Sequence, residues 1–212
     1  MTSPFPPGQF LPAGNNSDPP LPASSPTLSY RLNHLMLRIR DPTASLNFYI
    51  NLLGMRTIFT MNTGPFTIYY LGYPPTPLPT PQSHQTWAEE TCKNLPHTLG
   101  LLELYHVHGS EKQEPGYYHT GNDAPYLGFG QVGFTVPNVK EALERLKEGG
   151  VKVLKDLGVS SRESVPLSEW EAVRGVGLGE VHEGYRKILE QIAFVADPDG
   201  YLIELVPQNM KH

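Results

Sequence analysis

Cys92 is the only cysteine among the 212 residues. That excludes an intrachain disulfide and any zinc cluster built on cysteine thiolates. Basic residues are also scarce, 16 Lys and Arg against 21 Asp and Glu, and they form no long run. A net charge of −5 argues against nucleic acid or an anionic membrane as the main partner. No apolar run approaches the length of a membrane span. The N-terminus shows no basic region followed by an apolar one, so no secretory signal is expected. These absences leave a cytoplasmic protein as the expectation. What is present, 39% hydrophobic and 10% aromatic residues, suffices for one moderate core or two small similar ones.

Residues 1–28 hold eight of the 22 prolines together with Ser, Gly and Asn. Such a segment cannot bury enough surface to offset its ordering entropy, and it reads as a flexible arm. A first module is expected over 29–125. "YRLNHLMLRI" alternates as a strand, with His34, Met36 and Arg38 on one face. "DPTASLNFYINLLGM" has helical spacing closed by Gly54. "RTIFTMN", "FTIYYLGY" and "TLGLLELYHV" read as strands, and "PPTPLPTPQSHQTWAEE" between the last two reads as a proline-rich loop.

A second module, 126–212, repeats the order. "GQVGFTVPNV" is a strand and "VKEALERLKEGG" an amphipathic helix, with "VKVLKDL", "EQIAFVAD" and "GYLIELVP" as three further strands. Superimposed, His34 pairs with Gln131, 97 positions on, and Glu103 with Glu204, 101 positions on. The nearly equal offsets mark two copies of one βαβββ unit, an α+β fold. Both glutamates stand inside apolar strands, where an unpaired carboxylate is too costly to keep. His34, Glu103, Gln131 and Glu204 therefore form a candidate four-ligand metal site. Two carboxylates, an imidazole and an amide oxygen suit one divalent first-row ion per site with positions left open for substrate. Zinc is placed first, with nickel, cobalt, manganese or iron as alternatives.

The pieces "LMLRIRDPTASLNFYINLLGM", "LELYHVHGSE", "GFGQVGFTVPNV" and "FVADPDGYLIELVPQN" resemble glyoxalase I, the lactoylglutathione lyase family of the vicinal oxygen chelate superfamily. The resemblance runs from about residue 31 to 207. It implies paired βαβββ modules around a metal cleft, usually in a homodimer, with Glu204 as general base and Glu103 as its counterpart. It also implies a small carbonyl substrate whose proton moves between adjacent carbons through an enediolate or enolate.

Departures from the family pattern concern the rest of the pocket. Gln131 stands where eukaryotic members have histidine, and His34 where they have glutamine. Arg38 matches an arginine that the family uses on the γ-glutamyl carboxylate, but its partner arginine is replaced by Tyr126 and Leu127. An asparagine becomes Val107. Losing one bidentate arginine contact to a carboxylate costs on the order of 1.5–3 kcal/mol. The expectation drawn is a metal-dependent lyase or isomerase acting on a metabolite of a secondary pathway that lacks glutathione. True lactoylglutathione lyase activity is the alternative, and a ligand-sequestering resistance protein the third, disfavoured because sequestration needs no base. An insertion over about 158–189 carries a capping box, Ser168 and Glu171, ahead of Trp170. It is read as a lid or as solvent-exposed decoration. The apolar pocket is expected at Val107, Leu127 and Trp170.

Overall fold

The computed structural model describes residues 3–15 and 18–211. The chain divides into two compact units, one of the described residues of Ser17–Tyr118, the other joining those of Met1–Asn16 to those of His119–His212. Each unit holds one four-stranded sheet.

In module 1, strands β1 (His34–Ile39), β2 (Arg56–Asn62), β3 (Phe66–Gly72) and β4 (Leu101–Val107) lie in the order β1-β4-β3-β2. The first and last strands are parallel neighbours, and the others pair antiparallel. Asp41 caps α1 (Pro42–Leu46) by accepting from the Thr43 and Ala44 amides, with Pro42 in the first turn where its missing N–H costs nothing. The helix continues as a π-helical turn over Asn47–Leu52, and Gly54, at φ 82°, lets the chain leave it. Leu37, Ile39, Leu102 and Leu104 are buried on one face of the sheet, and Phe48 and Tyr49 are buried on the helical segment.

One expectation is corrected here. The stretch read as a proline-rich loop ends in a helix of 13 residues, α2 (Pro81–Lys93). Thr80 and Ser83 form a reciprocal capping box, and Pro81 occupies the first turn. Proline breaks a helix in its interior but starts one well. The helix packs on the edge strand β2, where His84 Nε2 lies 2.8 Å from the Thr57 carbonyl. Trp87 joins Ile58, Tyr70 and Leu101 in a cluster.

Module 2 repeats the topology. Strands β5 (Val132–Val136), β6 (Val153–Lys155), β7 (Ala193–Ala196) and β8 (Leu202–Pro207) lie in the order β5-β8-β7-β6, with β5 parallel to β8. Helix α3 (Val139–Glu148), capped by Asn138, packs against β8 and buries Val139, Ala142, Leu143 and Leu146. The turn before β8 is built by Asp197, whose carboxylate accepts from the Asp199 and Tyr201 amides. Between β6 and β7 the insertion forms α4 (Glu169–Ala172), with the expected Ser168–Glu171 box, and α5 (Glu183–Leu189). It is not decoration. Leu189 packs with Ile192, Phe194 and Leu202, and Val165 closes on the same cluster.

Residues 1, 2, 16 and 17 of the expected flexible arm lie outside the described residues. Of the rest, Gly8 packs so closely on His182 and Gly184 that a Cβ on either glycine would overlap its neighbour. Among the described residues, no helix is long and apolar enough to cross a membrane.

Candidate functional site

Cross-strand register places each glutamate in a row of four residues that share a face. In module 1 the row is Met36, Glu103, Tyr70 and Phe59. In module 2 it is Gly133, Glu204, Phe194 and Lys155. These rows are the same four places on two copies of one sheet.

Glu103 is held firmly. Its side chain is 14% exposed, and His34 Nε2 stands 3.5 Å from its carboxylate. The Tyr70 hydroxyl donates to the same carboxylate, and burial, followed by that hydrogen bond and charge, pushes the phenol up to about 12. Tyr70 is itself wedged between the Phe59 ring, stacked at 4.5 Å, and the His34 ring at 5.3 Å. The other ring nitrogen of His34, Nδ1, is 2.8 Å from Asn33 Oδ1, which leaves Nε2 facing Glu103.

Glu204 is held by a neutral amide instead. The Gln131 amide donates to its carboxylate at 2.7 Å. Burial raises its carboxyl above the usual range, with the Gln131 hydrogen bond and the Lys155 charge opposing. Beside it Gly133 has no side chain, and a Cβ there would stand 3.4 Å from the carboxylate oxygen. Burial and the charge of Glu204 both raise the Tyr185 phenol on α5.

Lys155 ends the second row as a buried ammonium. It donates to the carbonyls of Leu189 and Ile192, each at 2.6 Å, and of Asp156 at 3.2 Å. Burial lowers it to about 8.

The remaining expected contacts are scattered. The Arg38 guanidinium lies 5.4 Å over the Tyr105 ring. Val107 pairs with Phe66 in module 1. Tyr126 is exposed and stacks on His119 at 3.9 Å. Trp170 lies under Arg174 at 3.8 Å. Of the three residues expected to line an apolar pocket, only Leu127 lines the cavity of module 2.

Within neither module do three His, Cys, Asp or Glu side chains converge among the described residues. Each supplies two donors: imidazole and carboxylate in one, amide and carboxylate in the other. A half-buried carboxylate whose partner is a neutral amide is under-compensated, and turning the Gln131 amide would present its oxygen beside it. The donor set fits a divalent ion.

Residues 31–164 match the family model of the Glyoxalase/Bleomycin resistance protein/Dioxygenase superfamily. A lactoylglutathione lyase of Pseudomonas aeruginosa is 32% identical over 87% of this chain and 86% of its own length. The chain belongs to the glyoxalase I family. A lactoylglutathione lyase of Schizosaccharomyces pombe is 31% identical over 85% of this chain, which spans only 48% of that protein. The crystal structure of glyoxalase I from Zea mays shares the fold at TM-score 0.52 and 21% identity, over 85% of this chain and 45% of that one. Its glyoxalase relatives are thus lyases in name, and the family is metal-dependent in general.

Sequence reasoning missed Tyr70, Gly133, Lys155 and Tyr185. The first three follow from register, since each is the cross-strand neighbour of a glutamate or of that neighbour. Tyr185 had no signal, because nothing in the insertion announces which face α5 covers.

Proposed function

We propose that this chain is a metal-dependent glyoxalase I-type enzyme. It moves a proton between the two adjacent carbons of an α-oxoaldehyde–thiol hemithioacetal. The observation that carries this is the matched pair of rows, each with one inward carboxylate beside a neutral donor. His34, Glu103, Gln131 and Glu204 would hold the ion, two donors from each kind of module. A bound divalent ion would polarise the neighbouring substrate oxygens and acidify the C–H adjacent to the carbonyl.

Glu204 is the proton carrier. Burial raises its carboxyl above the usual carboxylate range, the direction that strengthens a carboxylate as a base. The open side at Gly133 lets the carboxylate swing, whereas Tyr70 and His34 anchor Glu103 as a fixed ligand.

The names of the curated relatives favour the glutathione adduct of methylglyoxal as substrate. A thiol other than glutathione is the second reading. It is favoured by Leu127, which faces an apolar cavity where the family resemblance places an arginine. Ultraviolet absorbance with methylglyoxal and glutathione, then with smaller thiols, tests both. Turnover only with glutathione retires the second reading. No turnover by protein loaded in turn with zinc, nickel and cobalt would remove the proposal.

A further inference from the structure

The connection from β3 to α2 has a composition that neither the sheet nor the site uses. Over residues 73–80 every residue is a proline or stands directly before one. Proline fixes φ at about −65°, and the residue before it is pushed to extended or polyproline II backbone. Thr80, ahead of Pro81, shows this with φ −132° and ψ 156°. Both ends of the segment are pinned. The Tyr73 hydroxyl donates to the Leu53 carbonyl at 2.7 Å, and Thr80 shares the capping box with Ser83.

Between these pins the segment is bare. Among the described residues no hydrogen bond reaches residues 74–79, and Pro75, Thr76, Pro77 and Pro79 are exposed. Only Thr76 and Leu78 there carry an amide N–H, so the segment cannot extend a sheet edge. No Asp, Glu, Lys or Arg lies between Arg56 and Glu89. The segment therefore offers nothing to a phosphate, a nucleic acid or a groove that clamps a basic side chain. What remains is the chemistry by which aromatic-lined grooves take exposed X-Pro pairs from a preformed backbone. Thr76-Pro77 and Leu78-Pro79 are two such pairs in succession.

We propose that residues 73–80 are a docking segment for a partner protein whose uncharged groove is lined by aromatic side chains. A flexible ligand loses conformational entropy on binding, whereas here proline and the two pins have removed it in advance. The arm carries a similar run, Pro19, Pro20, Leu21 and Pro22. Among the described residues no helix or strand stands between that run and β1, so no capped helix holds its far end. The pinned segment is the tighter ligand of the two.

An NMR titration tests it, with the unlabelled full chain added to an isotope-labelled WW domain selective for Pro-Leu-Pro ligands. Saturable shifts should appear at the aromatic groove of that domain. The Pro77→Ala, Pro79→Ala double variant should weaken binding at least ~10-fold with an unchanged circular dichroism spectrum. If that variant loses helix signal, Pro77→Ala alone, farther from α2, makes the same test. Pro20→Ala with Pro22→Ala in the arm should leave binding within ~2-fold of the wild type. A plain connector predicts no saturable shift up to ~1 mM chain, and that result would overturn the proposal. So would undiminished binding in the segment variants, or a loss in the arm variant as large as theirs. Equal binding by an SH3 domain that requires a flanking arginine would overturn it too.

Discussion

The two modules share strand order, parallel closure and the placement of a glutamate, yet they treat that glutamate in opposite ways. Module 1 surrounds Glu103 with a phenol, an imidazole and the Met36 side chain. Module 2 offers Glu204 one amide, a glycine and a phenylalanine at the place of the phenol. The backbone of a repeat preserves where a side chain points, while its neighbours decide how freely it moves. The extra segments diverge too, since α2 enters before the last strand of module 1 and the insertion before the third strand of module 2. Both close on the face of their own glutamate, through Trp87 beside Tyr70 and through Leu189 beside Phe194.

The largest expected effect separates the two carboxylates. Glu204→Gln should cut turnover by at least ~10² while retaining most of the metal, because an amide oxygen still ligates. Glu103→Gln should cost metal before it costs rate, read by elemental mass spectrometry beside kinetics. Equal rate losses at full occupancy would mean that both carboxylates work as bases. Exchanging the third place of each row comes next. Tyr70→Phe should weaken metal binding about 10-fold by removing the hydroxyl that orients Glu103. Phe194→Tyr should slow turnover about 10-fold with occupancy unchanged, by tethering Glu204 as Tyr70 tethers Glu103. A Phe194→Tyr enzyme at full speed would separate mobility from catalysis.

The fourth place gives a pH signature. Lys155 holds its proton less tightly folded, at about 8, than unfolded, near 10.5. Above pH 8 the unfolded chain binds more protons at this site, so stability should rise with pH toward 10. The raised phenol of Tyr70 opposes this only above its ordinary value of 10.0. Denaturation midpoints near pH 7.5 and 9.5 should therefore differ in the wild type and converge in Lys155→Met. The smallest effect is at the first place: Gly133→Ala fits at ordinary contact distance and should lower turnover only ~2–5-fold.

How much of this was legible depended on the range of the signal. The strand over "RTIFTMN" and the capping box at Ser168 are local signals, and they read correctly. So was the repeat, because equal offsets survive in a linear string. Helix α2 was hidden by a composition rule that counted prolines without asking where in a turn Pro81 would stand. Tyr70, Phe194 and Lys155 needed register, a long-range quantity. Trp170 looked like a pocket aromatic by type, but its partner is Arg174, one helical turn along the same short segment.

The Lys155 ammonium also has a meaning for how such a chain can be rebuilt. It leaves the end of β6 and grips the carbonyls of Leu189 and Ile192, so one side chain joins the exit and the return of the insertion. Once both ends are pinned, the closure entropy of whatever lies between grows only logarithmically, by about 0.6 kcal/mol for each doubling of length. The segment is thus an exchangeable cassette. Loops of very different length could be grafted at this point with little penalty to the sheet, provided that the two carbonyls and their cation are kept.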